Sequence, residues 1–228
     1  MITLAFFLIG GLVGLSIRHY WTHFHDRLAQ EVYSTYCEIF PENPPHFRPQ
    51  KISLPPIKCG QKWRYFLGFA TLFGFCQYLF SSSLLAAFIA AFTLSILITV
   101  SVIDWRYQLI SPTFCQLLAC LGVGAAYLQL LPISLEQSLQ SVALSFALFF
   151  LFFHLTQYLY QREAFGRGDY WLISGLSSFL PWQQLPLFYF IACSCAIAYA
   201  LFSKQQQIAL APFLSIGALA AFLLNVLG

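Results

Sequence analysis

Charge is scarce in this sequence: Asp, Glu, Lys and Arg make up 8% of 228 residues, against 59% hydrophobic and 18% aromatic. A chain so composed has too little polar surface to enclose its apolar groups in one water-soluble core. Polar sequence is also confined, with one long polar stretch at residues 18–64 and no visible internal repeat. With a mean hydropathy of +0.72, these absences exclude a nucleic-acid-binding module, a secreted disulfide scaffold and a disordered tail. What is present is a series of continuous apolar runs, without the alternation that barrel strands require. The expected fold class is therefore all-α: a polytopic integral membrane protein with about eight transmembrane helices.

A transmembrane helix needs about 20 largely apolar residues, because the hydrocarbon layer is about 30 Å thick and a helix rises about 1.5 Å per residue. Eight runs qualify, at 2–17, 65–81, 84–103, 114–132, 138–160, 170–181, 184–202 and 208–227, of which the first and sixth are short. The first lacks the basic start and small-residue cleavage site of a secretory signal, so it is read as a span. Of the eleven Lys and Arg residues, seven (Arg18, Arg27, Arg48, Lys51, Lys58, Lys62 and Arg64) lie between spans one and two. Basic residues favour the cytoplasmic side, which places this loop in the cytoplasm and the N-terminus outside. Alternation then puts Arg106, Arg162, Arg167 and Lys204 in cytoplasmic connections as well. The expected organisation is a first helix (1–17), a basic cytoplasmic loop (18–64) and a transmembrane domain (65–228). Six of the eleven prolines fall in residues 41–57, so that part of the loop should be extended.

Most of the acidic residues fall in loops or turns, but Asp104 closes the third span and Asp169 opens the sixth after Gly166-Arg167-Gly168. Either could simply snorkel to the headgroups or pair with Arg106 or Arg167. Taken together they sit on different helices at one depth and one face. Two carboxylates brought together there can share a proton, since like charges in contact cannot both ionise. That is the chemistry of an aspartic protease: the ionised partner takes a proton from water while the protonated one hydrogen-bonds the scissile carbonyl. Gly166 and Gly168 would support it by permitting positive φ and close backbone approach to the carboxylate.

Ile103-Asp104-Trp105-Arg106-Tyr107-Gln108-Leu109-Ile110 resembles the first active-site motif of the type IV prepilin peptidases, a family of Gly-x-Gly-Asp intramembrane aspartic proteases. Arg162-Glu163-Ala164-Phe165-Gly166-Arg167-Gly168-Asp169 resembles the second, and Ile208–Gly217, with Pro212, is similar to the proline-containing stretch of the last helix. The resemblance covers nearly the whole chain. It implies removal of the short basic leader of prepilin or pseudopilin substrates at the cytoplasmic face of the bacterial inner membrane, with Asp104 and Asp169 as the catalytic pair. It implies in addition N-methylation of the new N-terminal residue, usually Phe, with S-adenosylmethionine as methyl donor, whereas proteolysis needs no cofactor. Ser111-Pro112 stands where many members have Pro-Asp, and Trp171 where a Lys commonly follows the second aspartate. These departures bear on substrate preference and leave both carboxylates in place.

A larger departure lies in the loop at 18–64. Methylating members typically carry two Cys-x-x-Cys pairs there, a four-thiolate zinc arrangement. This loop has only Cys37 and Cys59. Two thiolates so far apart are poor zinc ligands by themselves, although His19, His23, His25 and His46 could complete a site, so zinc is not expected. His154, the imidazole within span five, is expected to make a helix-to-helix hydrogen bond. A reading from a different class is a small proton- or cation-coupled transporter using Asp104 and Asp169 as a relay. Such relays sit near the midplane, between repeats, whereas these carboxylates sit at one border and no repeat is seen. A third reading, an inactive scaffold, is opposed by the intact aspartates. No nucleic-acid partner is expected.

Overall fold

The computed structural model describes residues 1–41, 56–161, 166–203 and 208–227. Among these residues the chain is helical, with no strand. The helices are α1 (Ile2–Ile39), α2 (Lys62–Leu79), α3 (Leu84–Tyr107), α4 (Pro112–Tyr127), α5 (Leu135–Tyr160), α6 (Arg167–Ser177), α7 (Leu185–Ser203) and α8 (Ala211–Leu227), with a 3₁₀ turn at Trp182–Gln184 before α7. Four stretches, Ile2–Ile39, Leu84–Tyr107, Leu135–Leu159 and Trp182–Ser203, are long and apolar enough to cross a membrane, and Pro112–Tyr127 and Ala211–Val226 are shorter apolar helices. The expectation of a polytopic, all-α membrane protein therefore stands.

α1 differs most in extent from the span read in the sequence. α1 does not end with its apolar run at residue 17 but continues to Ile39. Residues 18–39 contain no Pro or Gly, so polarity ends the membrane-compatible segment without breaking the helix. Neighbouring turns support it, with Tyr20 against Phe24 at 5.6 Å and Tyr36 against Phe40 at 4.9 Å. The helix stops immediately before Pro41, whose ring disfavours helical geometry in the residue preceding it. Most of the proline-rich run, and with it His46, Arg48 and Lys51, lies outside the described residues, as do Arg162, Glu163 and Lys204. α6 has only eleven residues, about 16 Å of helix and thus about half the hydrocarbon thickness.

The chain forms two compact units, Met1–Leu79 and Phe80–Gly228. In the first, α1 and α2 pack through glycines: a Cβ on Gly10 would lie 2.6 Å from the Phe69 carbonyl oxygen, and one on Gly14 would strike that of Tyr65. Small residues at such positions let two backbones approach, which is how helices gain contact without a hydrophobic driving force.

In the second unit α6 is the centrepiece, buried from Leu172 to Ser177. Its apolar side joins Val100 of α3, Leu118 of α4, Phe188 of α7 and Leu214 of α8 in one cluster. Gly175 carries α6 onto α4, because a Cβ there would stand 2.7 Å from the Cys115 carbonyl oxygen. Toward α5 the contact is a seam of serines. Ser138 Oγ donates to the Ser178 carbonyl at 2.7 Å, Ser174 Oγ to that of Val142 at 3.3 Å, and Ser145 Oγ to Ser177 Oγ at 2.7 Å. In an apolar layer these bonds satisfy groups that would otherwise lack partners. The seam and the glycine contact hold α6, and hence Asp169 in its first turn, between α4 and α5.

Candidate active site

Asp104 lies in the last turn of α3, where its backbone carbonyl accepts from Gln108 N–H at 2.8 Å. Gln108 ends the helix in the left-handed region, φ 53°, a geometry that closes a helix by folding the next N–H back onto it. The Asp104 side chain is buried, at 4% exposure. Its Oδ2 accepts a hydrogen bond from Ala211 N–H at 2.8 Å, with the Leu210 backbone beside it. Ala211 is the first residue of α8 and Leu210 precedes it. A helix opening on Leu-Ala-Pro has no Ser, Thr, Asp or Asn of its own to accept its free N–H groups, and Pro212 supplies none to satisfy. The Asp104 carboxylate on α3 therefore acts as the cap of α8, where the helix dipole also favours negative charge.

Asp169 occupies the third position of α6. Its Oδ2 accepts from Gly166 N–H at 3.2 Å, and its own N–H donates to the Gly166 carbonyl at 3.1 Å. The two aspartates stand within electrostatic reach of each other, as do Asp169 and the buried Cys115 of α4. The segments carrying them touch: a Cβ on Gly168 would lie 2.6 Å from Ile110 Cβ. Three helix ends thus meet, the C-terminus of α3 and the N-termini of α6 and α8. Two of them present backbone donors to the carboxylates.

Positive φ at the motif glycines is not what the structure shows. Gly166 has φ −70°, and no described glycine has positive φ. The requirement at both positions is space: a Cβ on Gly166 would stand 2.8 Å from Asp169 Oδ2, and one on Gly168 would press on Ile110. Arg167 lies over the Phe153 ring at 5.9 Å. His154 is exposed on α5 and meets Phe150 and Phe153 edge-on at 4.4 and 5.3 Å, so aromatic contact stands where a hydrogen bond was expected. Trp171 is partly buried against Phe146 at 5.0 Å. Cys37 lies beside Tyr33 and Cys59 beside Tyr65. No group of three or more metal-ligating side chains converges among the described residues, and His46 lies outside them.

The sequence reading missed the backbone partner of Asp104. Its signal was present in the missing cap of α8. Proximity of Cys115 to Asp169 had no local signal, since Cys115 reads as one small apolar residue among many.

A helical membrane protein that gathers two carboxylates at the ends of its helices, with backbone donors aimed at both, has the composition of an intramembrane aspartic peptidase. The profile of the Type IV leader peptidase family matches residues 91–201, a stretch that holds both aspartates. Over its full length the chain is 37% identical to a prepilin leader peptidase/N-methyltransferase of Haemophilus influenzae, covering 100% of each protein. It therefore belongs to the type IV leader peptidase family. A type 4 prepilin-like proteins leader peptide-processing enzyme of Escherichia coli is 32% identical over 58% of this chain and 49% of its own length. A prepilin leader peptidase/N-methyltransferase of Dickeya chrysanthemi is 31% identical over 42% and 36%. No solved structure matches, and none of the relatives supports the transporter reading.

Proposed function

We propose that this protein removes the leader of prepilin or pseudopilin substrates at the cytoplasmic face of the bacterial inner membrane, with Asp104 and Asp169 as the catalytic pair. The observation that carries the reading is that the two aspartates stand within electrostatic reach of each other at the ends of α3 and α6, each accepting from a backbone N–H. Full-length similarity to the Haemophilus influenzae peptidase/methyltransferase supports the substrate class. In the reaction one carboxylate is ionised and the other protonated. The ionised group takes a proton from water as its oxygen attacks the scissile carbonyl carbon, and the protonated group donates a hydrogen bond to the carbonyl oxygen. The tetrahedral intermediate collapses, the C–N bond breaks and the leaving amine takes up the proton. No covalent enzyme adduct forms.

The same similarity supports N-methylation of the new terminus. S-adenosylmethionine would supply the methyl group to the freed amine. Among the described residues no group of three or more metal-ligating side chains includes Cys37 or Cys59. The test is incubation of the membrane-embedded protein with a prepilin bearing a basic leader, followed by mass measurement of the product's N-terminus. Loss of the leader is expected, with one added methyl group when the methyl donor is supplied. An intact leader in correctly inserted protein overturns the proteolytic reading.

A further inference from the structure

We infer that Ile110 is a positioning residue that sets the separation of the two carboxylates by abutting Gly168. This rests on the reading of Asp104 and Asp169 as the catalytic pair.

The connection on the Asp104 side is short and constrained. Five residues separate Asp104 from Ile110, and the Gln108 N–H donates to the Asp104 carbonyl at 2.8 Å to close the turn between them. Gln108 takes φ 53°, which fixes the direction in which the chain leaves α3. Beyond Ile110, Ser111 is the extended residue capping α4, and Pro112 opens that helix, so φ is restrained on this side as well. Cys115 Sγ, one turn on, donates to the Ser111 carbonyl at 3.4 Å. Ile110 is itself partly buried and packed against the central apolar cluster, leaving it little room to yield.

On the other side, Gly168 immediately precedes Asp169, and α6 is immobilised by the Gly175 contact and the serine seam. A Cβ at residue 168 would stand 2.6 Å from Ile110 Cβ, 3.2 Å from its carbonyl oxygen and 3.3 Å from its Cγ2. The Ile110 side chain thus fills the space that a Gly168 side chain would need. Because both ends of this contact are tied to the carboxylates through rigid backbone, its thickness is transmitted to their spacing. Packed interiors pass on such strain instead of absorbing it.

A thickness device can be tested by moving the bulk from one wall to the other. Gly168→Ala adds a methyl group where none fits and should lower kcat for leader cleavage about 100-fold, the loss associated with about 1 Å of misplacement. A change confined to the spacing of the carboxylates should leave KM within about threefold of the parent. Ile110→Gly removes Cβ and Cγ2 and should lower kcat about tenfold. The double variant Gly168→Ala with Ile110→Gly restores one side chain between the two backbones and should recover kcat to within about fivefold of the parent. Membrane insertion and thermal unfolding of each variant show whether the protein is folded. If Gly168→Ala does not accumulate, Ile110→Gly in the otherwise native protein, which removes the Cβ that abuts Gly168, serves in its place, with kcat expected to fall about tenfold at unchanged KM.

Unchanged kcat in Gly168→Ala or Ile110→Gly would overturn the inference. So would a folded double variant as slow as Gly168→Ala, or a loss carried by KM alone. Failure of the underlying two-aspartate reading shows itself separately, as cleavage retained by Asp104→Asn or Asp169→Asn.

Discussion

The proposed mechanism gives Asp104 a second task beside the contact the structure shows, and a pair of substitutions separates the two. Its Oδ2 caps α8 through Ala211 N–H at 2.8 Å, and its carboxylate is assigned to proton transfer. In Asp104→Asn the amide oxygen can still accept from Ala211, so the cap survives. A charged acceptor is replaced by a neutral one, a change of about 1 kcal/mol on the ordinary difference between such bonds. In Asp104→Ala no acceptor remains. A backbone donor is left in an enclosure where the native side chain is only 4% exposed, at a penalty of about 1–3 kcal/mol, and a cap contribution of about 1 kcal/mol is lost with it. Catalysis ranks the variants differently. Neither side chain can take a proton from water, so both should lose about 10²–10⁴-fold in cleavage rate, the usual contribution of general acid–base catalysis.

The assay pairs leader cleavage, followed by product mass, with thermal unfolding of purified protein read by tryptophan fluorescence. The expected outcome is two nearly inactive variants of unequal stability, with Asn close to the parent and Ala unfolding earlier. Cleavage by Asp104→Asn within about threefold of the parent would refute the proton-transfer role. Equal unfolding temperatures for Asn and Ala would refute the account of Asp104 as the cap of α8.

Three other predictions follow from the same structure. Gly175→Ala should destabilise the unit from Phe80 onward by about 1–3 kcal/mol, because the new Cβ meets the Cys115 backbone carbonyl at 2.7 Å, a wall that cannot rotate away; chemical or thermal unfolding reads the loss. Cys37→Ser combined with Cys59→Ser should leave cleavage unchanged, since both thiols belong to the unit Met1–Leu79 and both aspartates to the other; loss of cleavage in inserted protein would show that the first unit supports the peptidase site. Reporters fused after residue 40 or 110 should read cytoplasmic and those after 82, 134 or 182 external, as the distribution of Lys and Arg requires; a cytoplasmic signal at 134 would undo the shared membrane face of Asp104 and Asp169.

What could be read from the chain and what could not divide along a physical line. Continuous apolar runs report helices because each residue's transfer into lipid is a local property, and Asp104 and Asp169 were conspicuous because carboxylates are costly in such runs. The extent of α1 was misread because hydropathy measures solvent preference, whereas residues 18–39 keep helical geometry through the absence of Pro and Gly. The role of the motif glycines was misread for a deeper reason. Gly166 and Gly168 were given conformational freedom because freedom is what glycine offers to its own backbone. The structure uses them instead for the room they leave to Asp169 and Ile110, and room is a property of the neighbour. The cap of α8 belongs to the same category: an unprotected start at Leu210-Ala211-Pro212 is visible in the sequence, but that its acceptor comes from residue 104 is a fact of folding. At this site the chemistry-bearing residues announce themselves by type, and the contacts that set their spacing are made by residues whose types are ordinary. Ile110 is such a residue, which is why exchanging bulk between it and Gly168 tests the geometry more directly than removing either carboxylate.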